Sequence, residues 1–252
     1  MYIIIPARLE SSRVKDKLLR KVNGKEVLGH VIEASLSAKN QDSFTADCGF
    51  TKLNISKVAV CTSSPAIATY VENNYQEVDV LFTTCDDHNS KDYVNGTERC
   101  WAYSVHRGLS PSQAVINVQG DSIGITPEVI LRMVELVKNG HGHTKASTMY
   151  ALRENLQPGD LEDDSVVKVV VDKNSNALFF TRMPHTASYR HCGIYGYYVA
   201  FLNRYIDMKA ELENAESLEQ MRTLEYGMTV HCPKLPGSMS AGKSINVEKD
   251  LE

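Results

Sequence analysis

Arg8, Arg13, Lys15 and Lys17, with Ser11 and Ser12 among them, stand within the twelve residues that begin at Pro6. Arginine brings a planar fork for bidentate contact with phosphate, lysine a point charge, and serine a hydroxyl. Such a set suits a polyphosphate. Composition alone fits a solvated basic loop equally well. Position favours the ligand, because the stretch follows the first apolar run, and open α/β sheets bind ligands beyond the carboxyl ends of their strands. Further groups lie at expected strand ends: His88 to Arg99, then Gln119-Gly120-Asp121, then Arg190 to Tyr195 together with Glu219, Gln220 and Arg222. Asp121 follows a glycine that lets a ligand or cation approach the backbone closely. A carboxylate beside a basic loop can hold Mg2+ against substrate phosphates. The plainer alternatives are a turn aspartate at Asp121, a hydrogen-bonded core histidine at His191 and a solvated helix face at Glu219-Gln220. None of these signals is specific alone.

To converge, the groups need strands that end on one side of a sheet. Tyr2–Ile5 is apolar throughout, as a central strand covered on both faces would be, and Pro6 is expected to stop it. Asn23-Gly24 marks a turn, and Glu26–Ser37 has the apolar spacing of an amphipathic helix. Residues Asn40–Asn54 are polar with few anchors and read as a surface excursion. Strands are expected at Val58–Cys61, Val78–Thr83 and Ala114–Val118. Between and after them come helices starting at Ser63-Ser-Pro65, Gly96 and Thr126-Pro127-Glu128, the last with a hydroxyl cap and an acid near the positive dipole end. This alternation implies right-handed crossovers and a mostly parallel sheet. The second half is richer in strands: Ala146–Leu152, Val166–Asp172, Ala177–Thr181, Gly193–Val199 and Thr229–Cys232, with a short helix at Leu218–Tyr226. Asp172 to Asn176 reads as a hairpin turn. The fold class is therefore α/β with an antiparallel extension, in a single domain over residues 1–252.

Composition narrows the partners. A net charge of -4 gives no reason to expect a nucleic acid polymer or an anionic membrane surface. No apolar run approaches the ~20 residues of a membrane span. The first strand begins at Tyr2, which leaves no room for a secretory signal. The six cysteines are scattered without a C-x-x-C pair, which points to reduced thiols in the cytoplasm.

Taken in order, the motifs become specific. Ile5-Pro-Ala-Arg8 with Ser12, Arg13 and Lys17, then Asn95-Gly-Thr-Glu-Arg99, Asn117-Val-Gln-Gly-Asp121, Val167-Lys168-Val-Val, Phe180-Thr-Arg182, Arg190-His-Cys-Gly-Ile-Tyr-Gly-Tyr197 and Leu218-Glu-Gln-Met-Arg222 follow one another along the chain. The chain resembles the CMP-3-deoxy-manno-octulosonate (CMP-Kdo) synthetases, over nearly its whole length. The resemblance implies a Rossmann-like nucleotide-diphospho-sugar transferase fold, usually a homodimer. It implies Mg2+-dependent coupling of CTP to Kdo, giving CMP-Kdo and pyrophosphate for lipopolysaccharide or surface polysaccharide synthesis. The nucleotide part would occupy about residues 1–130, and the sugar-acid and possible dimer part about 145–230.

Carried over by position, Arg8, Ser12, Arg13 and Lys17 would hold the triphosphate, with the Ala7 backbone close to the base. Asn95, Thr97, Arg99 and Gln119 would place the nucleotide. Arg182, His191, Tyr195, Glu219 and Gln220 would line the sugar-acid pocket, and Asp121 and Asn246 would meet Mg2+. Arg8, Lys17 and Asp121 are the residues expected to carry catalysis, by positioning and charge neutralisation. The chain also departs from the family pattern. Lys15-Asp16 stands where the family has Pro-Gly, Asn95 where it has Ser, and Asn246 where it has a metal-binding aspartate. Asp121-Ser122-Ile123 replaces Asp-Glu-Pro, and the family's long segment before Arg190 is cut to the seven residues Met183 to Tyr189. These departures keep two alternatives open: a different acceptor or nucleotide on the same fold, or a catalytically impaired nucleotide-binding relative.

Overall fold

The computed structural model describes residues 1–8, 16–41, 44–46, 49–51, 53–83, 93, 95–140, 144–209, 211–237 and 239–245. The strands in chain order are β1 (Tyr2–Ala7), β2 (Lys21–Val22), β3 (Lys25–Glu26), β4 (Phe44–Ala46), β5 (Gly49–Thr51), β6 (Lys57–Thr62), β7 (Asp79–Phe82) and β8 (Ala114–Val118). They continue as β9 (Ser122–Ile123), β10 (Thr148–Glu154), β11 (Lys168–Val171), β12 (Ala177–Thr181), β13 (Tyr189–Tyr198), β14 (Thr229–His231) and β15 (Lys243–Ser244). The helices are α1 (Val27–Asn40), α2 (Pro65–Asn74), α3 (Gly96–His106), α4 (Pro127–Asn139), α5 (Val199–Tyr205), α6 (Glu211–Glu216) and α7 (Gln220–Glu225).

The main sheet runs β12-β11-β13-β8-β1-β6-β7, with β10 paired to β13 and β14 to β10. Strands β8, β1, β6 and β7 are parallel to one another. β13 turns the sheet antiparallel against β8, and the hairpin β11–β12 continues it. This is the α/β sheet with an antiparallel extension that the strand pattern implies.

Side-chain alternation along β1 explains why its run is apolar on both sides. Ile3 and Ile5 enter one core with Leu28, Ile32, Ile130 and Val134 from α1 and α4. Ile4 enters the other with Tyr103, Phe201 and Met221 from α3, α5 and α7. All three isoleucines are fully buried. In a strand, successive side chains must face opposite layers, so a strand covered twice carries no polar position.

Three local expectations are corrected. Pro6 does not stop β1: Pro6 and Ala7 pair with Cys61 and Thr62 of β6. Proline lacks only a donor, and here β1 has already run past its register with β8, which ends at Ile4↔Asn117, so no ladder on that side needs one. The stretch after α1 holds strands where none are expected, since β4 and β5 pair as a hairpin, and Leu53 is one of its few anchors in the core. Thr126 occupies the N-cap of α4 but makes no side-chain cap bond; Pro127 and the acid Glu128 remain in the first turn. Helices α5 and α6 were not legible in the sequence, and α5 follows β13 directly, its first turn pinned by Val199 N–H to Gln113 O and Ala200 N–H to Pro111 O. Cys61, Cys100, Cys192 and Cys232 are buried free thiols. Among the described residues no helix is long and apolar enough to cross a membrane.

Candidate active site

Parallel pairing of β1 with β8 brings Ala7-Arg8 alongside Gln119-Gly120-Asp121. Gly120 has to be glycine, because a Cβ there would come 2.9 Å from the Pro6 carbonyl oxygen. Gly96, at the start of α3, is less strictly constrained, with a Cβ position 2.8 Å from the Gln119 amide nitrogen, the end of a side chain that can shift. Two glycines thus let three segments meet at the carboxyl end of the sheet.

Lys17 and Asp121, 104 positions apart, form an ion pair of 2.5 Å. Lys17 also donates to the Ile245 carbonyl at 2.9 Å, while the Ile245 N–H donates to the Asp121 carbonyl at 3.1 Å. The strand-1 loop, the β8 turn and the C-terminal segment are therefore knotted at one carboxylate. Asp16 sits in the left-handed region at the start of the short helical turn Lys17–Leu19. Ser12, Arg13 and Asn246 lie outside the described residues. Among the described residues no three His, Cys, Asp or Glu side chains cluster as a metal cage. Asp121 is still a fit donor for Mg2+, which is commonly held by one or two carboxylates and completes its shell from phosphates and water.

Beside this knot opens a cavity of about 460 Å³. Ala7 and Arg8 form one rim, and Asn95, Arg99 and Gln119 the wall behind it. Arg182, His191 and Tyr195 face them from the antiparallel half, and Glu219 and Gln220 close the end. Thr97 is buried behind the wall and presents its N–H to Glu219. Lys17 and Asp121 are not in the lining, but Asp121 follows Gln119 by two residues on the same turn.

Most of the lining is held by named bonds. Arg99 is buried and donates to the Thr83 and Ser63 hydroxyls at 3.0 and 3.5 Å, which ties α3 to the ends of β6 and β7. Asn95 caps α3 by accepting from the Glu98 N–H, and its amide donates to Glu213 at 2.7 Å and to the Tyr205 hydroxyl at 3.1 Å. The amide that stands in place of the family's serine thus reaches across to α6. Tyr195 donates to Gln220 Oε1 at 3.1 Å. His191 lies edge-on to Phe180 at 5.1 Å and beside Tyr195 at 5.3 Å. Among the described residues, His191 Nε2 and Gln220 Nε2, buried polar atoms of this lining, have no hydrogen-bond partner. Buried polar groups are seldom left unpaired without a reason, and a ligand site is one.

Glu219 is not on a solvated helix face. Its carboxylate accepts from the Thr97 N–H at 2.8 Å and from the Gln119 amide at 3.0 Å, so it braces the start of α3 against the turn after β8. Burial raises its pKa to about 7 against the relief given by the Thr97 N–H, and the nearby Glu213 and Glu98 carboxylates add to the rise. Burial drives His191 the other way, down to about 3.

The two shifts have opposite linkage. Unfolded chain protonates His191 near 6.5 and folded protein near 3, so this residue's contribution falls away as pH drops through that window. For Glu219 the folded state keeps its proton up to about 7 while the unfolded chain releases it near 4.5, so stability falls as pH rises between them. Relative to wild type, Glu219→Gln should therefore gain thermal stability between pH 5 and 7.5. A Tm difference that stays flat across that range refutes the raised carboxyl.

Sequence reasoning missed Glu98, Glu213 and Tyr205, which surround the buried Arg222. Arg222 pairs with Glu98 at 2.9 Å and Glu213 at 2.6 Å, and stacks over Tyr205 at 4.5 Å. No spacing rule joins positions on three separate helices. Only the excess of acids in Glu211–Glu216, otherwise typical of a solvated helix, hinted at a buried cation nearby.

A mixed sheet whose parallel strand ends bring Arg8, Lys17 and Asp121 beside a polar cavity defines a nucleotide-binding α/β transferase. The chain belongs to the cytidylyltransferase family, whose model matches residues 2–230. A 3-deoxy-manno-octulosonate cytidylyltransferase of Neisseria meningitidis serogroup B is 33% identical over 99% of this chain and 94% of its own length. The enzyme of the same description from Serratia proteamaculans is 30% identical, covering 99% of this chain and 95% of its own. Among solved structures, a CMP:2-keto-3-deoxy-manno-octonic acid synthetase complexed with CTP superposes with a TM-score of 0.76 at 27% identity, covering 99% and 94% of the two chains.

Proposed function

We propose that the chain couples CTP to 3-deoxy-manno-octulosonate, giving CMP-Kdo and pyrophosphate. The observation that carries this reading is a cavity that joins the end of the first strand, Ala7 and Arg8, to His191 Nε2 and Gln220 Nε2, which have no partner among the described residues. The named relatives support the choice of nucleotide and acid.

Arg8, Ser12, Arg13 and Lys17 hold the triphosphate, while Ala7, Asn95, Thr97, Arg99 and Gln119 form the nucleotide side. Arg182 receives the acid's carboxylate, for which a guanidinium is the matched partner. His191, Tyr195, Glu219 and Gln220 bind its hydroxyls, and a neutral imidazole suits that task because it can both donate and accept. The anomeric hydroxyl oxygen attacks the α-phosphorus and pyrophosphate departs, with no side-chain nucleophile. Positioning supplies most of the acceleration. Asp121 and Asn246 are the residues that would hold Mg2+, which when bound supplies charge neutralisation at the phosphates. A cytoplasmic homodimer, with residues 1–252 as one domain, belongs to the same reading.

Pyrophosphate release measured with CTP, Mg2+ and a panel of ulosonic acids and nucleoside triphosphates tests the proposal. CTP with Kdo should give the highest kcat/KM. Preference for another pair would assign a different acceptor or nucleotide, and calorimetric CTP binding without turnover would assign an impaired relative. Within the site, Tyr195→Phe removes the bond that orients Gln220 and should raise KM for the sugar acid by roughly threefold to tenfold, leaving KM for CTP unchanged. Equal rises in both constants would remove Tyr195 from the sugar side.

A further inference from the structure

Lys168, the first residue of β11, is fully buried in the antiparallel half of the sheet. Its ammonium donates to two backbone carbonyls, Asp163 O at 2.5 Å and Arg182 O at 2.9 Å. The Arg182 guanidinium in turn donates to Asp164 O at 3.0 Å and Ser165 O at 3.4 Å. Lysine and arginine therefore both bind the same stretch of chain, 163–165, at different carbonyls. That stretch is also braced internally, by Ser165 N–H to Asp163 at 2.8 Å, and the turn before it by Gln157 N–H to Asp160 at 2.8 Å. Asp160, Glu162, Asp163 and Asp164 all lie where they offset the Lys168 charge. The same strand anchors His191, whose N–H donates to the Val167 carbonyl at 2.9 Å, and Lys168 is in register with Thr181 and Arg190. Arg182 and His191 line the cavity; the Lys168 side chain does not.

A buried ammonium whose hydrogen bonds among the described residues go to carbonyls is an expensive way to stabilise a turn, even with carboxylates nearby. An apolar side chain would fill the space without desolvating a charge. Its geometry has one distinctive consequence: the stretch whose Asp164 and Ser165 carbonyls set the direction of the Arg182 head is held at its first residue, Asp163, by the ammonium that also holds the Arg182 carbonyl. We propose that Lys168 is a positioning residue for the acid-binding wall, holding segment 163–165 and the Arg182 backbone so that the guanidinium is presented to the carboxylate of the sugar acid. The proposal rests on the sugar-acid reading of that wall. It assigns Lys168 a role in acid affinity and none in nucleotide binding.

The test is steady-state kinetics of Lys168→Met, with Kdo and CTP varied in turn. KM for Kdo should rise by roughly tenfold or more, the scale of a charge-assisted hydrogen bond, while KM for CTP stays within about twofold. In the Arg182→Ala background the same substitution should add no further rise, because both changes act through one guanidinium. A parallel rise in both KM values, or full additivity in the double variant, overturns the proposal. If Lys168→Met yields no folded protein, Lys168→Gln, which keeps one donor, is measured in the same way against the same criteria. Wild-type turnover is the control that separates the two ideas. If the wild type releases no pyrophosphate with any acid, the functional reading fails; Lys168 is then judged by calorimetry of Kdo binding, where the variant must bind more weakly than wild type.

Discussion

Asp121→Asn lowers kcat for pyrophosphate release by roughly 10²–10³-fold while leaving the protein folded. The carboxylate stands where β8 ends, paired to Lys17 at 2.5 Å, and its main chain receives the Ile245 N–H. Asparagine keeps the volume, the turn and one oxygen, so the change removes charge and little else. Lys17 retains the Ile245 carbonyl as an acceptor and is close to solvent, with a side chain 15% exposed. The stability cost is accordingly that of a part-exposed ion pair, about 1 kcal/mol. Charge neutralisation at transferring phosphates is worth several kcal/mol, and each 1.36 kcal/mol is tenfold in rate. The loss should appear in kcat and in the Mg2+ titration, with CTP binding at saturating metal less affected. Lys17→Met supplies the contrast, since a residue that binds phosphate in ground and transition states alike acts mainly on KM for CTP. Undiminished turnover by Asp121→Asn would show that this carboxylate only closes the Lys17–Ile245 knot.

That meeting of Lys17 with Asp121 was legible in the sequence, because it follows from topology. Two parallel neighbouring strands end on the same side, and the loops that leave them have to meet. Of the cavity lining, Arg182, His191, Tyr195, Glu219 and Gln220 were legible only through the resemblance to the CMP-Kdo synthetases, since no signal among them is specific alone. Other features were not. Pro6 reads as a strand terminator in any local rule, and only the staggered lengths of β1 and β8 show why it is harmless. Helices α5 and α6 carry no clean period, being held by contacts with the Pro111–Gln113 turn and with Arg222. Glu219-Gln220 looks like a surface pair because helical periodicity cannot tell a solvent-facing position from one that faces a cavity. The acidic run Asp160–Asp164 looks like a solvated loop because the cation beneath it, Lys168, belongs to a strand pattern of otherwise apolar residues.

Arg222→Met should cost about 3–5 kcal/mol of folding stability, the penalty for leaving buried carboxylates without their cation. At about 2–4 °C per kcal/mol for a chain of this size, Tm should fall by roughly 6–20 °C. The reasoning turns on what remains. Arg222 is 4% exposed and bonds Glu98 of α3 and Glu213 of α6 from α7, so three helices share one positive charge. Methionine fills much of the volume and can still lie against Tyr205, which limits the cavity term. Two carboxylates are then left near Glu219, whose own pKa burial has already raised to about 7. The origin of the loss can be isolated by neutralising the acids as well. Glu98→Gln and Glu213→Gln added to Arg222→Met should recover most of the lost Tm, because well-packed neutral replacements of a buried ion network are often no less stable than the network. If the triple variant stays as unstable as Arg222→Met, the arginine contributes by packing and not by charge. Turnover should return only in part. Asn95 also donates to Glu213 from the α3 cap, and Glu219 receives the Thr97 N–H from the same turn, so the nucleotide-side wall is built on the charges this arginine balances.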